Sequence, residues 1–243
     1  MKQRMFEHRY LTSRLVGQIH ARFGIPIIVS SFLFLGLPPY LTGVSLWLLF
    51  GDSTLVSYGF LLAFLWLALC PYLLWNAENI ADNFLKDFSQ KVVNKGNLEE
   101  FTKWVDTTGH RVFGYLLGVP FAIGADYLSF FVFPNIHLLT RIFLMVYISL
   151  LLFLAGIGFW GVVSIIRMSL LLKKIEVRTN PFDPDRFGGL EFVGSLCIKG
   201  TLLFSTGSLV LPLVFESMQR AQHANAAVLL YLLTGVYVIM IFI

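Results

Sequence analysis

The sequence predicts an all-α fold: a polytopic transmembrane helical bundle of six spans with its N-terminus in the cytoplasm. Three observations predict it. Hydrophobic residues make up 57% of the 243-residue chain and charged residues 13%, with mean hydropathy +0.76. A soluble domain is about 25% charged, so this chain cannot clothe a water-facing surface, and a soluble globule, a disordered tail and a disulfide scaffold are excluded. Long runs without charge recur along the chain. The Lys and Arg residues between those runs alternate strictly between rich and empty segments.

The chain opens with a basic arm, 1–22. Leu11, Leu15 and Ile19 recur every four residues, as do Arg14, Gln18 and Arg22 on another face. That pattern is a basic amphipathic helix lying on a membrane surface. It is not a cleaved signal peptide, because more than twenty residues precede the first apolar run and no small-residue cleavage site follows. The remainder, 23–243, is the six-span domain.

The first uncharged stretch is Phe23–Gly51, interrupted by Pro38-Pro39. It is read as one kinked span; the alternative is a span ending near Leu37 followed by an interfacial or re-entrant segment around Val44–Phe50. Both place Asp52 on the far side. The second span is Leu55–Trp75, the third Val112–Phe133, the fourth Ile142–Ile166, the fifth Val193–Phe215 and the sixth Ala226–Ile243.

Orientation follows from charge. The arm carries Lys2, Arg4, Arg9, Arg14 and Arg22; the second loop Lys86, Lys91, Lys95, Lys103 and Arg111; the fourth Arg167, Lys173, Lys174, Arg178 and Arg186. The odd-numbered loops hold only Arg141 and Arg220, and Lys199 lies inside a span. Basic loops stay in the cytoplasm, so the arm and the even loops are inside, in a cytoplasmic or plasma membrane. The net charge of +4 and pI near 9.1 then point to anionic lipid headgroups as partner and not to nucleic acid.

A cytoplasmic extension over 76–111 is expected after the second span. No Pro or Gly interrupts Tyr72–Lys95, Ile80, Phe84, Phe88 and Val92 form an apolar stripe, and Asp82–Lys86 and Asp87–Lys91 are acid-before-base pairs at helical spacing. The second span is read as a helix continuing to Gly96. The loop 167–192 begins as a continuation of the fourth span, through Val177. The sequence stops inside the apolar run Tyr237–Ile243 without the cationic flank a cytoplasmic exit usually meets, which predicts a longer native protein.

Functional candidates are few. Asp126 lies inside the third span, about 10 Å from its outer end by helical rise. An acid there costs on the order of 2.5–3.5 kcal/mol, so it is expected to face the bundle interior or water. It shares a drifting face with Gly114, Gly118 and Ala122, small residues that let helices approach closely. It is read as an ion site or the lining of a polar path; the plain structural alternative is an acid held by Arg141 or by Tyr and Ser hydroxyls. Lys199, with Ser195 and Thr206 near the same face, is a second polar candidate. Its competing reading is a lysine that snorkels to the cytoplasmic interface. A direct Lys199–Asp126 pair is not expected, since the two lie about 12 Å apart in depth.

The string Asn180-Pro-Phe-Asp-Pro-Asp-Arg-Phe-Gly-Gly189 contributes Asp183, Asp185, Arg186, Gly188 and Gly189. It is a stiffened turn with helix-capping aspartates, or a site for a cation or an anionic partner; two aspartates are too few for a calcium loop. Gly156-Ile-Gly-Phe-Trp-Gly161 matches a dinucleotide fingerprint by letters only, inside a span and without a strand. Its small residues Gly156, Gly158 and Gly161, with Ala155 and Ser164, are read as helix–helix contacts. The histidines do not cluster, although His137 and His223 both fall in outer loops. Cys70 and Cys197 lie in apolar runs with neither disulfide nor metal-ligand spacing, and no cofactor motif occurs.

The functional expectation is an ion channel or transporter with Asp126 on a polar path, in a homo-oligomer because six spans leave little room for a private pore. A sensory or anchoring module coupled to a cytoplasmic output or partner is the alternative. A membrane-embedded enzyme ranks last, since one acid supplies no catalytic set.

Overall fold

The computed structural model describes residues 11–91, 111–132, 136–172 and 191–220, together with Val228, Tyr231, Leu232, Thr234, Gly235 and Val238. It is all-α. Helix α1 is Leu11–Phe23 and α2 is Ile27–Phe50. Helix α3 is Tyr58–Lys91, α4 is Arg111–Val132 and α5 is Leu138–Leu172. Helix α6 joins Glu191–Ser205 to Leu211–Arg220 through a 3-10 segment, Thr206–Val210. Among the described residues four helices are long and apolar enough to cross a bilayer: Ile27–Phe50, Tyr58–Phe88, Leu138–Arg167 and Val193–Glu216.

The chain is therefore a multi-pass membrane protein by its four candidate spans, and the count of six is not reached. Helix α4, the expected third span, presents only Val112–Gly124 as a described apolar stretch. Most of the expected sixth span lies outside the described residues. Those of it that are described are helical.

Local chemistry sets the helix ends. Gly24 (φ 65°) closes α1 and Gly51 (φ 70°) closes α2, both left-handed and both donating back, to His20 and Trp47 carbonyls respectively. Between them α2 is one continuous helix. A π-helical turn, Phe32–Gly36, precedes Pro38-Pro39 and accommodates the imides, so the segment does not break near Leu37. The re-entrant alternative is set aside on that ground.

Helix α3 is the axis of the bundle. Its apolar window is 56% buried, against 11% for α6. Phe60, Ala63, Phe64, Leu67, Cys70 and Leu74 meet Leu144, Tyr147, Leu151, Leu154 and Ile157 of α5 and Leu213 of α6 in one core. The helix runs past Trp75 to Lys91 without a break, and Phe84 and Phe88 of the expected apolar stripe are buried and stacked. Helix α1 packs on α3. Its buried positions are Ser13 and Val16, whereas Leu11 is 61% exposed. The contact face is thus set by the Ser13 hydroxyl, which donates to Glu78 Oε1 at 2.9 Å, and not by the Leu11–Leu15–Ile19 stripe.

Antiparallel α4 and α5 form the closest pair. Phe113 stacks on Trp160, Gly118 meets Gly156, and Asp126 meets Ser149 along one seam. A Cβ on Gly156 would lie 2.8 Å from Gly118 Cα, and one on Gly118 would lie 2.8 Å from the Phe153 carbonyl oxygen. Neither backbone can yield. Gly114 is buried, while a Cβ on Gly158 or Gly161 would meet nothing within 4 Å among the described residues. Among the described residues, Gly156 is the member of that string that meets a neighbouring backbone.

Candidate functional site

Among the described residues, two open grooves carry polar side chains on the apolar surface. The first is built on the α4–α5 seam. Asp126 is exposed, and its Oδ1 accepts a hydrogen bond of 2.5 Å from Ser149 Oγ on the facing helix. Asp126 and Ser149 line an open groove of about 460 Å³ with Ile142, Met145 and Val146. Among the described residues the carboxylate shares this groove with one hydroxyl, two aliphatic side chains and a thioether, so it keeps lone pairs for a cation or a proton.

The second groove lies between α3 and α6. Asn76, Asn79, Asn83, Lys199 and Thr206 line about 410 Å³, together with Ile80, Leu202 and Leu203. Asn76, Asn79 and Asn83 share one face of α3 because they are spaced three and four apart. Lys199 and Thr206 share a face of α6, two turns apart. The Thr206 hydroxyl donates to the Leu203 carbonyl at 2.6 Å, so it faces the groove with its lone pairs. No ion pair or hydrogen bond engages Lys199 among the described residues.

The far end of the α3–α6 pair is fixed by a different acid. Glu216 Oε1 accepts the Gly59 N–H at 2.8 Å, satisfying one of the free donors at the start of α3, while Ser57 Oγ accepts the Phe60 N–H. Gly59 has no room for a side chain, because a Cβ would lie 2.7 Å from the Leu213 backbone.

The residues singled out in the sequence are thus divided. Lys199 and Thr206 come together, Asp126 stands apart from them with Ser149, and Ser195 lines neither groove. Asp183, Asp185, Arg186, Gly188 and Gly189 lie outside the described residues. So does His223, while His137 stacks on Phe50 with ring centroids 3.7 Å apart. Ala122 is partly buried on the Asp126 helix. Sequence reasoning allowed a Ser hydroxyl at Asp126 without naming Ser149, and passed over Glu216 and the three asparagines. The available signal for the last was three carboxamides at helical spacing just beyond a span.

Among the described residues no group of three or more His, Cys, Asp or Glu side chains is placed to hold a metal ion. Comparison with protein-family models, with curated proteins and with solved structures found no match to this chain.

Proposed function

We propose that the chain crosses the bilayer six times with its N-terminus in the cytoplasm and moves an ion across it, with Asp126 on the path. The observation that carries this reading is the Asp126–Ser149 pair facing an open groove within two apolar helices. Ionisable groups at membrane depth are expensive and are kept where they serve a pathway. The six-fold threading rests on the alternation of fifteen inner against two outer basic residues. The groove is one wall of a path, and a second copy of the chain supplies the other, so the working unit is a homo-oligomer.

Reconstitution of the purified protein in liposomes tests the reading. Wild-type protein carries a monovalent cation or a proton. Asp126→Asn cuts that flux about ten-fold, the equivalent of roughly 1.4 kcal/mol on the barrier. Unchanged flux removes Asp126 from the path. Wild-type flux equal to empty liposomes for every ion removes transport altogether.

A further inference from the structure

The α3–α6 groove has a chemistry of its own. Among its described lining residues the one charge is the Lys199 ammonium, and none is an acid. Three carboxamides add N–H donors without adding charge. Asparagine is a poor helix former, so three on one face of a 34-residue helix are costly where apolar residues would serve. Ile80, Leu202 and Leu203 complete the wall with aliphatic surface. The volume, about 410 Å³, falls within the range of small-ligand sites.

Depth follows from the helix register. Seventeen residues separate Gly59 from Asn76 on α3, and seventeen separate Lys199 from Glu216 on α6. The Gly59–Glu216 contact and the groove are therefore at opposite ends of the pair, about 25 Å apart by helical rise. That is close to the thickness of the hydrocarbon core, about 30 Å. With Gly59 at one boundary, Lys199 and the asparagines lie at the other, level with headgroups.

We propose that this groove binds the phosphate headgroup of an anionic phospholipid. The phosphate oxygens accept from the Lys199 Nζ and from the Asn76, Asn79 and Asn83 amides, and the first carbons of the acyl chains lie on Ile80, Leu202 and Leu203. A phosphocholine headgroup is disfavoured, because its quaternary ammonium finds no carboxylate in the lining. Free phosphate would satisfy the donors but leave the aliphatic wall without a partner. Assignment to the inner leaflet rests on the threading proposed above; the headgroup chemistry does not, and the test reads binding without regard to side.

The full-length protein in detergent is titrated with phosphatidylglycerol or phosphatidylcholine and read by native mass spectrometry. Phosphatidylglycerol is retained in preference to phosphatidylcholine. Lys199→Gln weakens its retention about five-fold, the loss of one interfacial charge contact, and Lys199→Arg keeps it within about two-fold. Asn83→Ala also weakens it, and this change raises helix propensity, so lost binding there is not lost folding. Equal retention of the two lipids, or retention unaltered in both Lys199→Gln and Asn83→Ala, overturns the proposal. Displacement of phosphatidylglycerol by excess inorganic phosphate assigns the groove to a soluble anion and overturns the lipid as occupant.

Discussion

Ser31 shows how one hydroxyl supports a helix at an internal proline. Pro71 lies within α3, where its missing N–H removes the helical bond to the Leu67 carbonyl and its ring crowds the turn before it. Ser31 Oγ, fully buried on α2, donates to Ala68 O at 2.7 Å and accepts from Tyr72 N at 3.2 Å. Both backbone groups are thereby satisfied where no water reaches, which is how apolar spans tolerate proline. Gly36 makes the approach possible, since a Cβ there would lie 2.8 Å from Ala68 Cβ. Ser31→Ala is expected to destabilise the fold by about 1–3 kcal/mol, because it leaves a buried donor and acceptor unmade. In a Pro71→Ala background, where the turn regains the Leu67 bond and relies less on the hydroxyl, the same change costs less than half as much. Thermal unfolding of the four proteins in one detergent reads the cycle, and additive losses refute the bridge. The sequence displayed Ser31 as one small polar residue in an apolar run. Its role became visible only with Pro71 folded against it. Asp126 and Lys199 were legible because charge in such a run is itself improbable. The asparagines were not, because amides beyond the end of a span look solvated until α6 is laid beside them.

At the scale of the helix, the glycines of α5 separate by what they face. Gly156→Ala places a methyl against the Gly118 backbone and is expected to cost about 1–3 kcal/mol through forced separation of α4 and α5. Gly158→Ala meets nothing within 4 Å among the described residues and is expected to stabilise α5 by up to about 1 kcal/mol through helix propensity alone. Midpoints of thermal unfolding that move in opposite directions confirm the seam. Equal shifts refute it. Composition could nominate Gly156, Gly158 and Gly161 as a set, since all lie in one small-residue string. Which of them touches a neighbour depends on the azimuth of α5, and azimuth is a property of the pair. The same holds for α1. Its periodic apolar stripe was plain in the sequence, yet the Ser13–Glu78 hydrogen bond turns another face inward.

At the scale of the whole chain, the helices present many large apolar side chains outward, Leu48 at 71% and Leu49 at 74% exposed among them. A surface of that kind is at rest only against lipid or another copy. The threading gives a direct expectation. In a background with Cys70 and Cys197 replaced, cysteines placed at Lys86 and at Arg167 label from one face of the membrane, and one at Asp52 labels from the other. Labelling of Lys86 and Arg167 from opposite faces discards the six-span threading and the leaflet assigned to the α3–α6 groove. What the sequence determined by itself is the class of the molecule and the positions of its helices. Apolar length is a one-dimensional property, summed along the chain. What only the tertiary structure decided is which polar groups meet: Ser149 with Asp126, Glu216 with Gly59, the asparagines with Lys199. Those encounters depend on helix register and rotation, and both are set by close contacts such as Gly118–Gly156 and Gly59–Leu213 between residues far apart in the chain.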